Sequence, residues 1–447
     1  MMNRTRTVTL TSVLAATALM MTACSTGAGS STPDARGTTD TSAASAEGSA
    51  QAGESRQEVA ALTPRIFVTY DGGVLALDGN TGEVQGAVET PGFLRLNHAG
   101  DGRHLMVTGG DQFRVLDSGL ITREHGDHDH YYQQDPAWTG AAFEASEAGH
   151  VVSHHGRTAL FADGTGQVQV VETSAFGENA ESVANDAESK NYLTEYTTQD
   201  SHHGVAIPIS DGGLLVTQGT EQSRHTIQAL DAQGNVTAQT TDCPGVHGEA
   251  VVTGADHGGQ GGDVVSFGCE NGPVVFRDGQ FHKVAVPQSY QRSGNQFAAP
   301  GSPVVLTDYK VDADAELERP TRVGLLDTRS DQMTTVDLGS PYWFRSLARG
   351  AEGQGVVLTY DGQLNIIDPQ TGEITERVEV TEPWEENENW QQPGPAVQVS
   401  GAYAYVTEPA RQKLHVVNVQ TGTVVDTFDL PETPNELAVV NGVKKSD

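Results

Sequence analysis

An all-β chain built from a repeated four-strand unit is what this 447-residue sequence predicts, on three observations. From Arg65 onward, apolar residues alternate with small or polar ones at period two, the pattern of a strand with a buried face. The alternating runs are punctuated by Asp-Gly, Asn-Thr-Gly and Gln-Thr-Gly, residue types that supply positive φ or the side-chain hydrogen bonds of tight turns. The pattern also repeats: RIFVTYDGGVLALDGNTG, beginning at Arg65, is nearly superimposable on GVVLTYDGQLNIIDPQTG, beginning at Gly355. Helical periodicity is almost absent, residues 180–190 being the one stretch that reads as a short helix.

Strand units recurring at about 40 residues predict a β-propeller. The units fall at residues 92–123, 149–173, 202–240, 247–286, 296–338, 343–380 and 395–430. An eighth is split, its innermost strand at 435–441 and its outer strands from 65–89, so that the two ends of the chain share a blade and close the ring. Eight blades are favoured over seven; the unit at 149–173 is short and an insertion at 310–319 obscures another. The connections 124–149 and 174–201 are longer than blade geometry needs, and such loops often carry function.

Ahead of these units lie two segments of different character. Arg4 and Arg6 precede an apolar and small-residue run that ends in Met21-Thr22-Ala23-Cys24, the composition of a secretory signal. A small residue directly before a cysteine resembles the bacterial lipobox, which implies a signal peptide at 1–23 and a lipid on Cys24. An ordinary signal peptide cleaved nearby is the alternative. Residues 24–60 are rich in Ser, Thr, Ala, Gly and Glu, too poor in apolar area to fold, and read as a flexible tether to a propeller at 61–443. No later apolar run approaches the length of a membrane span, so the protein is expected outside the cytoplasm, held to the bacterial cell membrane by lipid alone.

Setting Cys24 aside leaves Cys243 and Cys269, an even pair in an oxidising compartment, for which a disulfide is the simplest account. Two zinc thiolates are the weaker alternative, because the pair lacks CxxC spacing. The formal charge of −33 argues against a nucleic-acid partner.

The candidate chemistry lies in the histidines. Ten of the fifteen fall between His125 and His247, where even scattering would place about four. His125, His128 and His130 share the segment EHGDHDHYY with Asp127 and Asp129, a metal-ligand composition in which the two aspartates more plausibly solvate than ligate. Three consecutive units then open with histidine: His150, the pair His202 and His203, and His247. The first strand of a blade lines the central channel, so these side chains surround one mouth and can converge on an ion. His154 is either a packed histidine or a ligand. Neighbours on a strand point oppositely, so one of His202 and His203 is expected to bind. Glu249 could be a fourth ligand, an acceptor orienting His247, or an ordinary polar residue. The His-rich loop, preceding the first of these units, is expected to fold over the same mouth and donate a ligand or hold a second ion.

The loop from His125 to Tyr132, the segment HVVSHHGRTALF from His150, HHGVA from His202, and CPGVHGEA from Cys243 with Cys269 downstream together resemble the AztD family of extracytoplasmic zinc metallochaperones. The resemblance spans the propeller and not the tether. It implies a protein that holds Zn2+ with histidines and passes it to the solute-binding protein of a zinc ABC transporter. His155 stands where the family is expected to vary, and no ligand role is carried onto it. Other classes are less favoured. There is no HExxH, no nucleophile elbow and no tryptophan-docking repeat, which argues against an enzyme, and a metal-free envelope scaffold is the remaining alternative. A monomer is expected.

Overall fold

The computed structural model describes residues 56–177, 193–255 and 262–443. The signal segment, Cys24, most of the tether, the helix expected at 180–190 and His257 lie outside the described residues. Eight four-stranded antiparallel sheets form an eight-bladed propeller, and a separate three-stranded sheet accompanies them. In seven blades the strands run in chain order from the channel outward. Blades are numbered here from Arg95–His98, the inner strand of blade 1; the inner strands of blades 2, 3 and 4 are Ala148–His154, Ala206–Pro208 and Glu249–Val252. Blade 8 takes its inner strand, Leu437–Val440, from the C-terminal end, paired to Arg65–Tyr70 with Arg65 opposite Val440.

The repeated turns follow from a shared device. Asp78 Oδ1 accepts hydrogen bonds from the backbone N–H groups of Asn80 and Thr81 at 2.9 and 3.0 Å, and Asp368 repeats this with Gln370 and Thr371. The glycines that close these turns, Gly82 and Gly372, sit at φ 70° and 75°, a conformation open chiefly to glycine. Second strands such as His104–Gly109 are buried on both faces, whereas outermost strands such as Thr423–Asp429 are largely exposed. The core is accordingly distributed between blades: Val205, Ile207 and Leu215 of blade 3 pack with Val265, Phe267 and Phe276 of blade 4.

Two blades differ from the units read off the sequence. The short unit at 149–173 is completed by Leu193–Thr197. In blade 1 the outer strand is Ala137–Glu144 and not residues 120–123. Leu120–His125 and His128–Gln133 instead form a hairpin inserted before that outer strand, and Gln57–Val59, inside the expected tether, pairs with its edge. Edge pairing asks only for backbone hydrogen bonds, which is why a segment poor in apolar residues can dock there.

This insertion places the histidine-rich hairpin on the opposite face from His150. Strands in a blade alternate in direction, so a connection between third and fourth strands emerges where inner strands end, not where they begin. The hairpin's contacts agree: Thr122 Oγ1 donates to the carbonyl of Gly442, just past the end of the blade 8 inner strand, at 2.9 Å. The loop therefore does not fold over the mouth.

Cys243 and Cys269 form a disulfide, which fits an oxidising, extracytoplasmic setting. It joins the approach to the inner strand of blade 4 to the end of that blade's second strand.

Candidate metal centre

Among the described residues, three groups of ligand-type side chains bring donor atoms within 4.8 Å of one another: His150, His203 and His247; His125, His128 and His130; and His154, His155 and Asp263.

The first group sits where the inner strands of blades 2, 3 and 4 begin. Ring centroids of His150–His203, His203–His247 and His150–His247 are 5.0, 5.1 and 5.6 Å apart. The Nδ1 positions of His203 and His247 face outward to acceptors. His203 Nδ1–H donates to Asp163 Oδ2 at 2.5 Å and His247 Nδ1–H to the carbonyl of Gly294 at 2.9 Å. His150 Nδ1 has Glu249 Oε2 at 3.4 Å. A carboxylate or carbonyl can only accept, so the Asp163 and Gly294 contacts put the proton of His203 and His247 on Nδ1 and leave their Nε2 lone pairs for the centre. His150 Nε2 and His203 Nε2 stand 3.4 Å apart. Two lone pairs at that distance repel unless a cation lies between them, and ligands at about 2.0–2.1 Å on a tetrahedral zinc are separated by about 3.3 Å.

Two glycines permit this. A Cβ on Gly149 would strike the Asp163 carboxylate, and one on Gly248, at φ 74°, would strike the carbonyl of Gly294. Both acceptors that orient imidazoles thus lie against positions where a side chain cannot fit.

The hairpin repeats the logic on a more exposed surface. His125 and His128 are cross-strand partners, and His128 Nε2 and His130 Nε2 are 3.2 Å apart. His128 Nδ1 contacts Asp127 Oδ1 at 3.1 Å and His130 Nδ1 contacts Glu58 Oε1 at 2.8 Å. Asp127 therefore orients a ring from beside it, and Glu58 comes from the strand that docks on the hairpin edge.

No protein-family model matches the chain. Over 395 residues it is 23% identical to the Citrobacter koseri protein named zinc chaperone AztD, across 85% of this chain and 87% of that one. The crystal structure of Citrobacter koseri AztD aligns with a TM-score of 0.71 at 22% identity, covering 86% of this chain and 100% of the other. The chain is an AztD homologue. The dihydro-heme d1 dehydrogenase NirN, in complex with DHE, aligns at a TM-score of 0.52 and 14% identity over 85% of this chain and 75% of its own, a likeness of fold alone.

Homology to AztD and the histidine clusters together give a zinc-chaperone relative with groups able to hold a metal. The remaining sequence candidates are placed by their partners. His202 is buried in the blade, its Nδ1 on the carbonyl of Asp200 and its Nε2 on Thr217 Oγ1, both at 3.0 Å, with the ring against Phe161. It does not face the triad; His203 does. Glu249 stands beside His150 and not His247. His154 lies four residues along the strand from His150, in the third group.

Sequence reasoning missed Asp163, Gly294, Glu58 and Asp263. Asp163 opens an Asp-Gly-Thr-Gly run indistinguishable from the generic turns; Gly294 acts through its carbonyl, which no side-chain pattern records.

Burial, and then the neighbouring His203, push His150 down to about 3, and burial, then His150, holds His247 well below the ordinary imidazole range. Burial raises Glu249 to about 8. A lowered imidazole pKa means fewer protons bound at a given pH, so His150 is neutral through pH 5–7, where an ordinary histidine near 6.5 would be protonating, and His247 stays neutral to lower pH than an ordinary histidine. Nitrogen-detected NMR of the metal-free protein should show His150 and His247 as neutral tautomers at pH 5.5; protonated rings there would contradict the crowding described.

Proposed function

We propose that the protein is an extracytoplasmic zinc chaperone that holds Zn2+ on His150, His203 and His247 and delivers it to the solute-binding protein of a zinc ABC transporter. One observation carries this reading: three imidazoles bring ligand nitrogens together at the mouth, and acceptors hold the Nδ1 sides of two of them, His203 and His247. Three protein donors leave one position of a tetrahedral ion open, so an acceptor's ligand can enter before the donors leave. Homology to a protein named a zinc chaperone supports a carrier and not a catalyst. Attachment through a lipid on Cys24 and the tether would hold it at the membrane, within reach of a transporter. It acts as a monomer.

The hairpin triad is read as a second, more exposed zinc site, suited to capture or early release; being on the other face, it cannot complete the mouth site. Changing His128 and His130 to alanine should remove one weakly held zinc while the tightly held one remains, as seen by titration against a chromophoric chelator. Loss of the tight equivalent instead would show that the two triads act as one site. The function itself is tested by mixing the zinc-loaded protein with the metal-free solute-binding protein. Transfer should outpace spontaneous release into chelator, and equal rates would reject delivery by contact.

A further inference from the structure

The third constellation closes the other end of the channel. His154 ends the inner strand of blade 2, His155 follows in the turn to Arg157, and Asp263 stands just before Val264–Phe267 of blade 4, 108 residues from His155. His155 Nε2 meets Asp263 Oδ1 at 2.7 Å, and His154 Nδ1 lies 3.7 Å from the same oxygen. The two rings are 3.8 Å apart. Their surroundings hold them in place. Ser210 N–H and Oγ–H donate to Asp263 Oδ2 at 3.1 and 2.9 Å, and His154 Nδ1–H donates to the carbonyl of Pro208 at 2.9 Å. A ring nitrogen anchored on a backbone carbonyl, with a hydrogen-bonded carboxylate beside it, is how metal-ligating groups are commonly oriented.

The backbone adds an independent sign. His155 has φ 48° and Gly156 φ 67°. Together they make a two-residue turn of the kind that favours Asn-Gly. A residue with a Cβ is strained in this left-handed conformation. Strain of this sort collects at functional positions, and here it directs an imidazole at Asp263.

We propose that His154, His155 and Asp263 form a further binding site for a divalent cation of the zinc class, at the channel end opposite the His150 triad. Two imidazoles and a carboxylate are the donor set of open zinc sites. Holding an ion at about 2.0–2.1 Å opens the His155–Asp263 pair to about 3.3 Å, a movement the exposed side of the turn permits. A cavity of about 340 Å³ lies between the two ends, lined by His154 and Glu249 together with Val151, Ser153, Thr253 and Gln296. His150 and His154 face blade 3 from the same strand, about 13 Å apart at four residues of extended chain. The site stands on its own three donors and does not depend on the mouth triad being the zinc store.

The test is zinc titration, with cobalt as a spectroscopic probe, of a variant in which His125, His128, His130, His150, His203 and His247 are all alanine. One residual zinc per chain and cobalt ligand-field bands are expected, and adding His155→Asn with Asp263→Asn should remove both. Asparagine suits the left-handed turn, so the fold is kept. In the otherwise native chain the same pair of changes should lower zinc stoichiometry by one and leave the other equivalents. Absence of residual zinc in the six-histidine variant, or unchanged native stoichiometry after the pair of changes, overturns the site. Should the mouth reading fail instead, the six-histidine variant loses only the hairpin's equivalent, and His155→Asn with Asp263→Asn still removes one more.

Discussion

Replacing His150, His203 and His247 together with alanine is expected to abolish tight zinc binding while leaving the propeller folded. The folding half of this expectation rests on where the three side chains are. None belongs to the apolar clusters between blades; they are partly exposed at the channel mouth, so their removal leaves the core intact. The binding half rests on donor count. Without the three imidazoles the mouth keeps only Asp163 and Glu249, so affinity should fall by at least about a thousandfold, or about 4 kcal/mol. Competition with a chelator of known affinity reads the loss, and circular dichroism reads the fold. Retention of one tightly held zinc by the folded triple variant would reject the mouth as the store. Asp163→Asn supplies the finer measurement. The amide can still contact His203 Nδ1, yet it no longer fixes the proton there, and loss of such an orienting partner typically weakens metal binding about 10–100-fold.

Replacing Cys243 and Cys269 with serine is expected to cost stability and zinc affinity together. The bond joins residues 26 apart, and releasing a loop of that length corresponds to about 3.5 kcal/mol in the chain-entropy description. Its position matters as much as its energy. The segment from Cys243 to His247 runs beside the end of the second strand of blade 4: His247 N–H donates to the carbonyl of Gly268 at 3.0 Å, and Gly268 N–H donates to that of Gly248 at 3.1 Å. Cutting the bond loosens the peptide that carries His247, so zinc affinity should drop by about tenfold while stoichiometry holds. Denaturant melts and chelator competition on the double-serine variant, and on reduced native protein, measure both effects. Unchanged affinity beside lowered stability would mean that the two backbone hydrogen bonds position His247 unaided.

Much of the fold was legible because its signals are local. Alternation of apolar residues, and aspartate two or three residues before Thr-Gly, are complete within about ten residues, and the likeness of the runs at Arg65 and Gly355 reveals the repeat. The shared blade was legible too, since the run at 435–441 has a strand's composition but no partners of its own nearby. The error in blade 1 has a single cause. Residues 120–123 do form a strand, but the blade's outer strand comes two strands later, at Ala137–Glu144. Inserting two antiparallel strands before the true outer strand moved the histidine-rich segment from the connection between blades to a connection within one, and so to the other face.

The sequence by itself determined the repeat, the closure of the ring, the pairing of Cys243 with Cys269, and the placing of His150, His203 and His247 at the starts of adjacent inner strands. Each is written in spacing along the chain. Only the tertiary structure decided which nitrogen each histidine presents, that His202 turns into the blade, that Glu249 attends His150, and that His155 meets a carboxylate 108 residues away. These depend on acceptors brought in from other blades, including the carbonyls of Gly294 and Pro208, and a backbone oxygen leaves no mark on the sequence that positions it.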